Sequence, residues 1–270
     1  MSWLSITRGE APLLLSMPHS GTWLEGLEPR LVSPWLARKD ADWCIPELYG
    51  FAAELGATIV RTEVSRTVID VNRDPSGQSL YPGMATTGLC PTTTFDGEAL
   101  YLEGEEPSAD EIAMRRQHYF DPYHAALRAE AQRLLASHAR VVLYDCHSIR
   151  SVVPRLFEGQ LPQFNIGTHD GRSCDAALTD ALASTCAASG FSHVLNGRFK
   201  GGYITRSLGD PARGLHVVQM ELSCRGYLRE PQAPVTAADW PVPFDPDFAA
   251  PLQRVLRHVL QQCVDFASRS

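Results

Sequence analysis

Short apolar runs alternate along the chain with longer segments of helical periodicity. Leu13–Met17 is an apolar run followed by Pro18-His19-Ser20-Gly21, the pattern of a buried strand that leads into a turn. Runs rich in Val, Ile and Thr predict further strands at residues 57–64, 67–72, 140–145 and 216–221.

The helical segments are longer, and two of them carry capping signals. Residues 42–55 form one predicted helix, closed by Gly56 at a position suited to a left-handed cap. A second helix is predicted to about residue 137 from Ser108-Ala109-Asp110-Glu111, which has capping-box spacing. Two more are predicted at about 174–188 and 248–267. Strands and helices that alternate without a break in composition predict a single α/β domain over residues 1–270.

Residues 74–107 interrupt this alternation. They are rich in Gly, Pro and Thr and show little periodicity. Long segments of this kind in compact domains are often lids or binding loops. We therefore expect a surface excursion here, and whether it acts as a lid is left open.

Polar residues with catalytic chemistry stand at the ends of three predicted strands. His19 follows the first, Asp145 and His147 end the strand at 140–145, and Glu221 ends the strand at 216–221. In open α/β sheets functional groups gather beyond the carboxyl ends of the strands, so these side chains can converge. Two histidines with a carboxylate are the ligands of a catalytic zinc that keeps one position open. The alternative interpretation is that each histidine is a capping or core residue.

Two arginines flank the predicted strand at 67–72. Arg66 precedes it, and Arg73 follows Asn72. The planar guanidinium group suits carboxylates, so two of them can hold the two carboxylates of an acidic amino-acid derivative. The alternative is a pair of surface arginines bonded to neighbouring acids, namely Glu63, Asp70 or Asp74.

Residues 195–206 combine three glycines with basic and aromatic side chains, Arg198 and Lys200 among them. This composition is typical of a flexible, positively charged binding loop. Neither the dinucleotide-binding fingerprint nor the P-loop signature is present in the chain. A structural turn is the alternative.

Composition narrows the class of function. The net charge of −7 and pI of about 5.7 argue against a nucleic-acid partner, although a locally positive pocket for a small anion is compatible with them. We expect no membrane segment and no secretion signal, because no long uncharged apolar stretch occurs. Seven cysteines without a CxxC pair predict reduced thiols and a cytoplasmic protein.

Six motifs in order resemble the N-formylglutamate amidohydrolases of histidine degradation. The resemblance covers about residues 12–228, and its motifs are Pro18-His19-Ser20-Gly21, Asp42-Trp43, residues 65–73, residues 145–150, residues 196–202 and Gln219-Met220-Glu221. That family is similar in fold to zinc carboxypeptidases and aspartoacylase-like deacylases. The resemblance implies a mixed, mostly parallel sheet with helices on both faces.

The resemblance also implies roles for individual residues. His19 and His147 match the metal histidines, and Glu221 matches the general base. Asn72 with Arg73 matches the pair that holds the substrate carboxylate. The remaining match is Arg66, beside the scissile carbonyl. Arg198 and Lys200, in the basic loop, are candidates for further contacts with the substrate carboxylates.

The third metal ligand departs from the carboxypeptidase-like pattern. That pattern has a glutamate three residues after the first histidine, whereas Thr22 stands there. The family resemblance favours Asp42 instead, and Asp40 and Asp145 remain alternatives.

The expected activity is zinc-dependent hydrolysis of N-formyl-L-glutamate to L-glutamate and formate, the last step of a histidine degradation route. The alternatives are an N-acyl amino-acid deacylase or small carboxypeptidase of other specificity, and a non-catalytic protein that binds acidic amino acids. A thiol hydrolase that pairs Cys146 with His147 is geometrically poor, because adjacent strand residues point to opposite faces. The sequence leaves open whether the chain forms a homo-oligomer.

Overall fold

A seven-stranded sheet runs through the protein in the computed structural model, which describes residues 2–78, 83 and 86–269. The strands are Leu4–Thr7 (β1), Leu13–Met17 (β2), Thr58–Thr62 (β3), Val141–Ile149 (β4), Phe164–Gly167 (β5), His193–Leu195 (β6) and Leu215–Ser223 (β7). Their spatial order is β1-β3-β2-β4-β7-β5-β6.

The sheet is mixed and mostly parallel. The central strands β3, β2, β4 and β7 pair in parallel, as do β5 and β6. Antiparallel pairing joins β1 to β3 and β5 to β7. The predicted mixed sheet is therefore confirmed, and its central strands all present their carboxyl ends at one edge.

Helices cover both faces of this sheet. They span Leu36–Lys39 (α1), Ile45–Leu48 (α2), Ala109–Arg115 (α3), Asp121–Leu135 (α4), Ala176–Ala188 (α5), Tyr203–Leu208 (α6) and Pro246–Ser268 (α7). Alternate side chains of the central strands bury against α2, α5 and α7 on one face and against α4 and α6 on the other. Successive side chains of a strand point to opposite faces of the sheet, and helices cover both faces here. The first half of β4 is therefore apolar at every position.

The predicted helix at 108–137 forms with an internal irregularity. The Ser108 side chain accepts a bond from Glu111 N, as the capping-box spacing predicted. A π-helical segment, Arg116–Phe120, separates α3 from α4. Arg115 Nη1 then donates to Val68 O at 2.9 Å, and His124 Nε2 lies 2.8 Å from Val71 O.

Residues 67–72 are not a strand, and that prediction was wrong. The segment instead makes turn bonds, among them Val68 N to Ser65 O and Arg73 N to Asp70 O. Its side chains explain the difference, because Arg66 and Asp70 form an ion pair at 2.7 Å. Residues four apart in a strand are about 13 Å apart and cannot make that contact.

The predicted helix at 42–55 is divided. It consists of α2 and a 3₁₀ helix at Gly50–Leu55, and Gly56 caps the latter with a φ of +71° as expected. Among the described residues, 74–107 contain isolated bridges but no helix or strand. Residues 79–82, 84 and 85 of this predicted excursion lie outside the described part of the chain. No helix among the described residues is long and apolar enough to cross a membrane.

Candidate active site

Two adjacent strands carry the polar residues of the site on one face. In the parallel pair of β4 and β7, His147 lies opposite Glu221, and Asp145 lies opposite Gln219. Earlier residues on this same face of β4, Val141 and Leu143, are apolar and pack into the core under α4. The core thus ends midway along β4, and a polar site begins there.

Asp42 joins the two histidines although it is distant from both in sequence. The loop after β2 carries His19, and Asp42 N donates to His19 O at 2.9 Å. Asp42 Oδ2 lies 3.7 Å from His19 Nδ1 and 3.1 Å from His147 Nδ1. All three side chains are buried, and their candidate ligand atoms lie within 4.8 Å of one another. We refer to these three residues as the metal cluster.

The distances in the metal cluster fit a single ion. Zinc bonds of about 2.0–2.2 Å in tetrahedral geometry place ligand atoms about 3.3 Å apart. The two contacts of Asp42 Oδ2 bracket this value. Asp42 Oδ1 is buried and has no hydrogen-bond partner in the described residues, so the carboxylate has capacity left for a cation.

The outer nitrogen of each histidine contacts a further carboxylate. His19 Nε2 lies 2.7 Å from Asp70 Oδ1, and His147 Nε2 lies 2.9 Å from Asp145 Oδ2. We assign the ring proton of each histidine to Nε2, because only that nitrogen faces a carboxylate outside the cluster. Carboxylate–histidine pairs of this kind fix the ring tautomer of metal ligands. Each Nδ1 faces the point that it shares with Asp42.

These contacts decide between the three candidate carboxylates. Asp145 lies behind His147, on the side away from Asp42. Asp40 accepts bonds from Arg150 Nη2 and from the Phe95 amide, outside the metal cluster. Asp42 is therefore the carboxylate that both inner nitrogens share.

The site collects ionisable groups of both signs. Four carboxylates (Asp42, Asp70, Asp145 and Glu221) lie with the two histidines and two guanidinium groups, those of Arg66 and Arg73. Burial by itself lowers the pKa of His147, but Asp145 and Asp42 outweigh it and hold that pKa well above its ordinary value. Burial, with Arg66, lowers the pKa of His19, so its imidazole is neutral and free to act as a ligand.

Asp70 connects the metal cluster to both predicted arginines. Besides His19, it contacts Arg66 Nη2 at 2.7 Å and Arg73 Nε at 3.4 Å. Burial raises the pKa of Asp70, but His19, Arg66 and Arg73 together hold it well below its usual range. From the sequence, Asp70 was expected only as a surface partner of these arginines. The four-residue spacing between Arg66 and Asp70 could have indicated this ion pair. The incorrect prediction of a strand at 67–72 excluded it, because a strand would hold the two residues too far apart.

The Asn72 amide is fully engaged by the site's framework. Its Nδ2 donates to Asp145 Oδ2 at 3.2 Å and lies 2.9 Å from His147 Nε2. Its Oδ1 accepts a bond from Ile204 N at 2.8 Å. A Cβ at Gly202 would lie 2.5 Å from Asn72 Nδ2, so only glycine permits this close approach.

A pocket opens beside the metal cluster. It is lined by His19, Arg66, Asn72, Arg73, Thr86, Thr87, Phe95, His147, Ile149, Leu156, Arg198, Phe199, Gly202, Gln219 and Glu221. The structure thus brings together most of the sequence-predicted site residues. Lys200 is an exception, because in the described chain it is outside this lining and its Nζ lies 3.1 Å from Asp170 Oδ1.

Glu221 enters the pocket beside His147. Burial raises the pKa of Glu221 to about 8, against the opposing effects of His147 and Arg66. Gln219, two residues earlier on the same face, accepts a bond from Gly202 N at 2.7 Å and donates to Glu221 Oε2 at 3.4 Å. From the sequence, no role was assigned to Gln219. Its position two residues before Glu221 on the same strand indicates that both side chains point to the same face of the sheet.

Cys146 points away from this site. Its side chain is buried in the core on the opposite face of the sheet, with Tyr144 and Met220. Burial raises the pKa of its thiol well above the ordinary value. A thiolate nucleophile paired with His147 is therefore excluded on geometry, as the strand alternation predicted.

Two curated proteins are similar to the chain over nearly its whole length. The N-formylglutamate deformylase of Pseudomonas putida is 47% identical over 260 residues, which are 96% of this chain and 94% of that protein. The N-formylglutamate deformylase of Pseudomonas aeruginosa is also 47% identical, over the same shares.

Solved structures share the fold. An N-formylglutamate amidohydrolase from Ralstonia eutropha JMP134 aligns with a TM-score of 0.78 at 22% identity, over 99% of both chains. The gene product Atu2144 from Agrobacterium tumefaciens aligns with a TM-score of 0.72 at 17% identity, over 98% of this chain and 96% of that one. The sequence profile of the N-formylglutamate amidohydrolases also matches residues 11–228. Because that match spans most of the chain, the protein belongs to the N-formylglutamate amidohydrolase family.

Proposed function

We propose that this protein is a metal-dependent amidohydrolase that cleaves the formyl amide of N-formyl-L-glutamate, giving L-glutamate and formate. One observation carries the proposal: the buried metal cluster adjoins a pocket that contains Glu221 and the guanidinium groups of three arginines, Arg66, Arg73 and Arg198. The 47% identity to two N-formylglutamate deformylases supports the choice of substrate.

His19, Asp42 and His147 would hold the ion, and zinc suits this donor set best. Two imidazoles and one carboxylate, with a position left open, are the ligands of catalytic zinc sites. When bound, the ion acts as a Lewis acid on the formyl carbonyl and lowers the pKa of water.

Glu221 would act as the general base and acid of the reaction. Its carboxylate takes a proton from the attacking water and returns it to the glutamate nitrogen as the C–N bond breaks. The donation from Gln219 fixes the rotation of this carboxylate. Arg66, held by Asp70 beside His19, would stabilise the negative oxygen of the tetrahedral intermediate.

The remaining positive groups would hold the substrate's two carboxylates. Arg73 and Arg198 line the pocket, and Asn72 orders its wall. Lys200, on the same loop as Arg198, is proposed as an outer contact for the anion. When both carboxylates are held, the formyl group is kept over the metal cluster. Binding of the carboxylates thereby orients the amide for attack.

We further propose that the chain works as a single domain in the cytoplasm, at the end of a histidine degradation route. Its seven cysteines are free thiols, six of them buried, which suits a reducing compartment.

A substrate panel tests the proposed activity directly. We expect the purified protein to release formate from N-formyl-L-glutamate with a kcat/KM far above that for N-acetyl-L-aspartate or a dipeptide. Preference for acetyl-aspartate would indicate a deacylase, and preference for the dipeptide a carboxypeptidase. Binding of glutamate derivatives without turnover, in protein of measured zinc content, would indicate a binding protein.

Replacing Arg73 is expected to weaken recognition of the acidic side chain. Arg73→Ala removes a charge that the buried Asp70 holds in the pocket, so KM for N-formyl-glutamate should rise about 10- to 100-fold, the loss of one charge-assisted contact. N-formyl-alanine lacks the side-chain carboxylate and should be affected less. Arg213→Ala, a change of the same kind at a solvent-exposed residue, is the control. An unchanged preference for formyl-glutamate over formyl-alanine would clear Arg73 of this role.

A further inference from the structure

An apolar wall forms one side of the active-site pocket. Its members are Phe95, Ile149, Leu156 and Phe199. They belong to a separate small hydrophobic cluster, which is distinct from the two cores that cover the faces of the sheet. A dicarboxylate offers only a short aliphatic chain to such a surface, so an apolar wall of this size calls for a further explanation.

Two of these residues lie at the reacting end of the pocket. Ile149 follows His147 by two residues on β4 and therefore shares its face of the strand. The Phe95 ring lies against the Arg66 guanidinium, with 4.6 Å between Cζ and the ring centroid. Arg66 Nη1 is in turn 3.4 Å from His19 Nδ1. Arg66 thus connects Phe95 to the metal cluster.

A short turn holds the Phe95 backbone in place. Phe95 N donates to Asp40 Oδ2 at 2.6 Å. The turn closes through bonds from Thr94 N to Glu98 O and from Gly97 N to Thr94 O.

Two buried cations anchor the same turn to the body of the protein. Lys39 Nζ contacts Asp96 at 2.7 Å and Glu98 at 2.6 Å. Arg150 Nη2 contacts Asp96 at 2.8 Å and Asp40 at 3.0 Å. Both cationic side chains are almost completely buried, whereas the side chains of Asp96 and Glu98 remain partly exposed. Because this network fixes the backbone at Phe95, the turn cannot move away from a larger ligand without breaking these contacts.

We propose that Phe95, together with Ile149, limits the acyl group of the substrate to formyl. This inference rests on the proposed function. The acyl carbon has three substituents: its oxygen is directed to Arg66 and the metal cluster, and its nitrogen leads to the glutamyl carboxylates at Arg73 and Arg198. The third substituent must then face the apolar wall. A hydrogen fits against a rigid wall, whereas a methyl group would collide with it.

The test compares acyl groups of increasing size on the same amino acid. We measure kcat/KM for N-formyl-, N-acetyl- and N-propionyl-L-glutamate with the wild-type protein and with Phe95→Ala. The formyl-to-acetyl ratio is expected to fall by about 10- to 200-fold in the variant, the range that one methyl-sized difference in an apolar pocket can produce. Propionyl-glutamate should gain in the same direction.

Phe157→Ala is the matched control. Phe157 packs against the same hydrophobic cluster but is outside the pocket lining in the described chain. Its replacement loosens the cluster by the same side-chain change, and the acyl ratio should stay at the wild-type value. An equal fall in both variants would mean that the cluster acts through general packing, and the assignment to Phe95 would be wrong.

Two further variants keep the inference testable if Phe95→Ala does not fold. Phe95→Leu removes less volume, and Ile149→Ala opens the wall from the strand side. An unchanged ratio in both of these folded, metal-containing variants would overturn the proposal. If instead the wild-type protein does not cleave N-formyl-glutamate, the proposed function fails first, and the two failures are distinguished in one experiment.

Discussion

Removal of divalent metal by a chelator is expected to abolish hydrolysis of N-formyl-glutamate, and one equivalent of Zn²⁺ per chain is expected to restore it. The reason is the arrangement of the metal cluster: the Nδ1 atoms of His19 and His147 and Asp42 Oδ2 face one point, and the outer nitrogen of each histidine contacts a buried carboxylate. Formate release and metal content, measured on the same stripped and restored samples, check the prediction.

Two aspartate variants identify the third ligand in the same assay. Asp42→Asn should lose most of its zinc and its activity, because the shared carboxylate is replaced by a weaker neutral donor. Asp40→Asn should keep its zinc, since Asp40 contacts Arg150 and the Phe95 amide rather than the histidines. Full activity of the wild-type protein in excess chelator would refute the metal mechanism, and retention of zinc by Asp42→Asn would reassign the ligand.

Glu221→Gln is expected to lower kcat by about 100- to 10,000-fold, the usual contribution of a general acid–base group, while metal content stays near the wild-type value. Glutamine has nearly the same shape as glutamate but does not take up the proton of the attacking water. Its side chain still fills the position beside His147 and Gln219, so the pocket should keep its form. The measurement is kcat with N-formyl-glutamate at a fixed pH, together with zinc analysis.

Glu230→Gln provides the matched control for this change. Glu230 is another largely buried glutamate, bonded to Ser151 N and Ser151 Oγ, and it is outside the pocket lining in the described chain. Its variant should keep nearly wild-type turnover. Turnover of Glu221→Gln close to that of Glu230→Gln would mean that another group moves the proton.

The sequence located the strands of the site better than the connections between them. Leu13–Met17 formed as predicted, and the strands expected at 140–145 and 216–221 formed as Val141–Ile149 and Leu215–Ser223. A buried parallel strand is recognisable because both of its faces need apolar side chains. Residues 67–72 have the same Val- and Ile-rich composition, yet they form turns.

For the site residues too, some positions could be predicted from the sequence and others depended on the tertiary structure. Sequence alone determined which residue types were available, and the order of the motifs indicated the family, so His19, His147 and Glu221 could be predicted from the chain itself. Only the tertiary structure decided that Asp42 lies between the histidines while Asp145 lies behind one of them. It also separated Arg198, which lines the pocket, from Lys200, which contacts Asp170.

The physical reason is the range over which each interaction acts. Strand alternation and helix capping depend on residues a few positions apart, and a single sequence contains that information. The contacts of Asp70 with His19 and of Asp42 with His147 join residues 51 and 105 positions apart. Their distances depend on how the loops pack after the sheet has formed, and no local pattern in the chain specifies that packing.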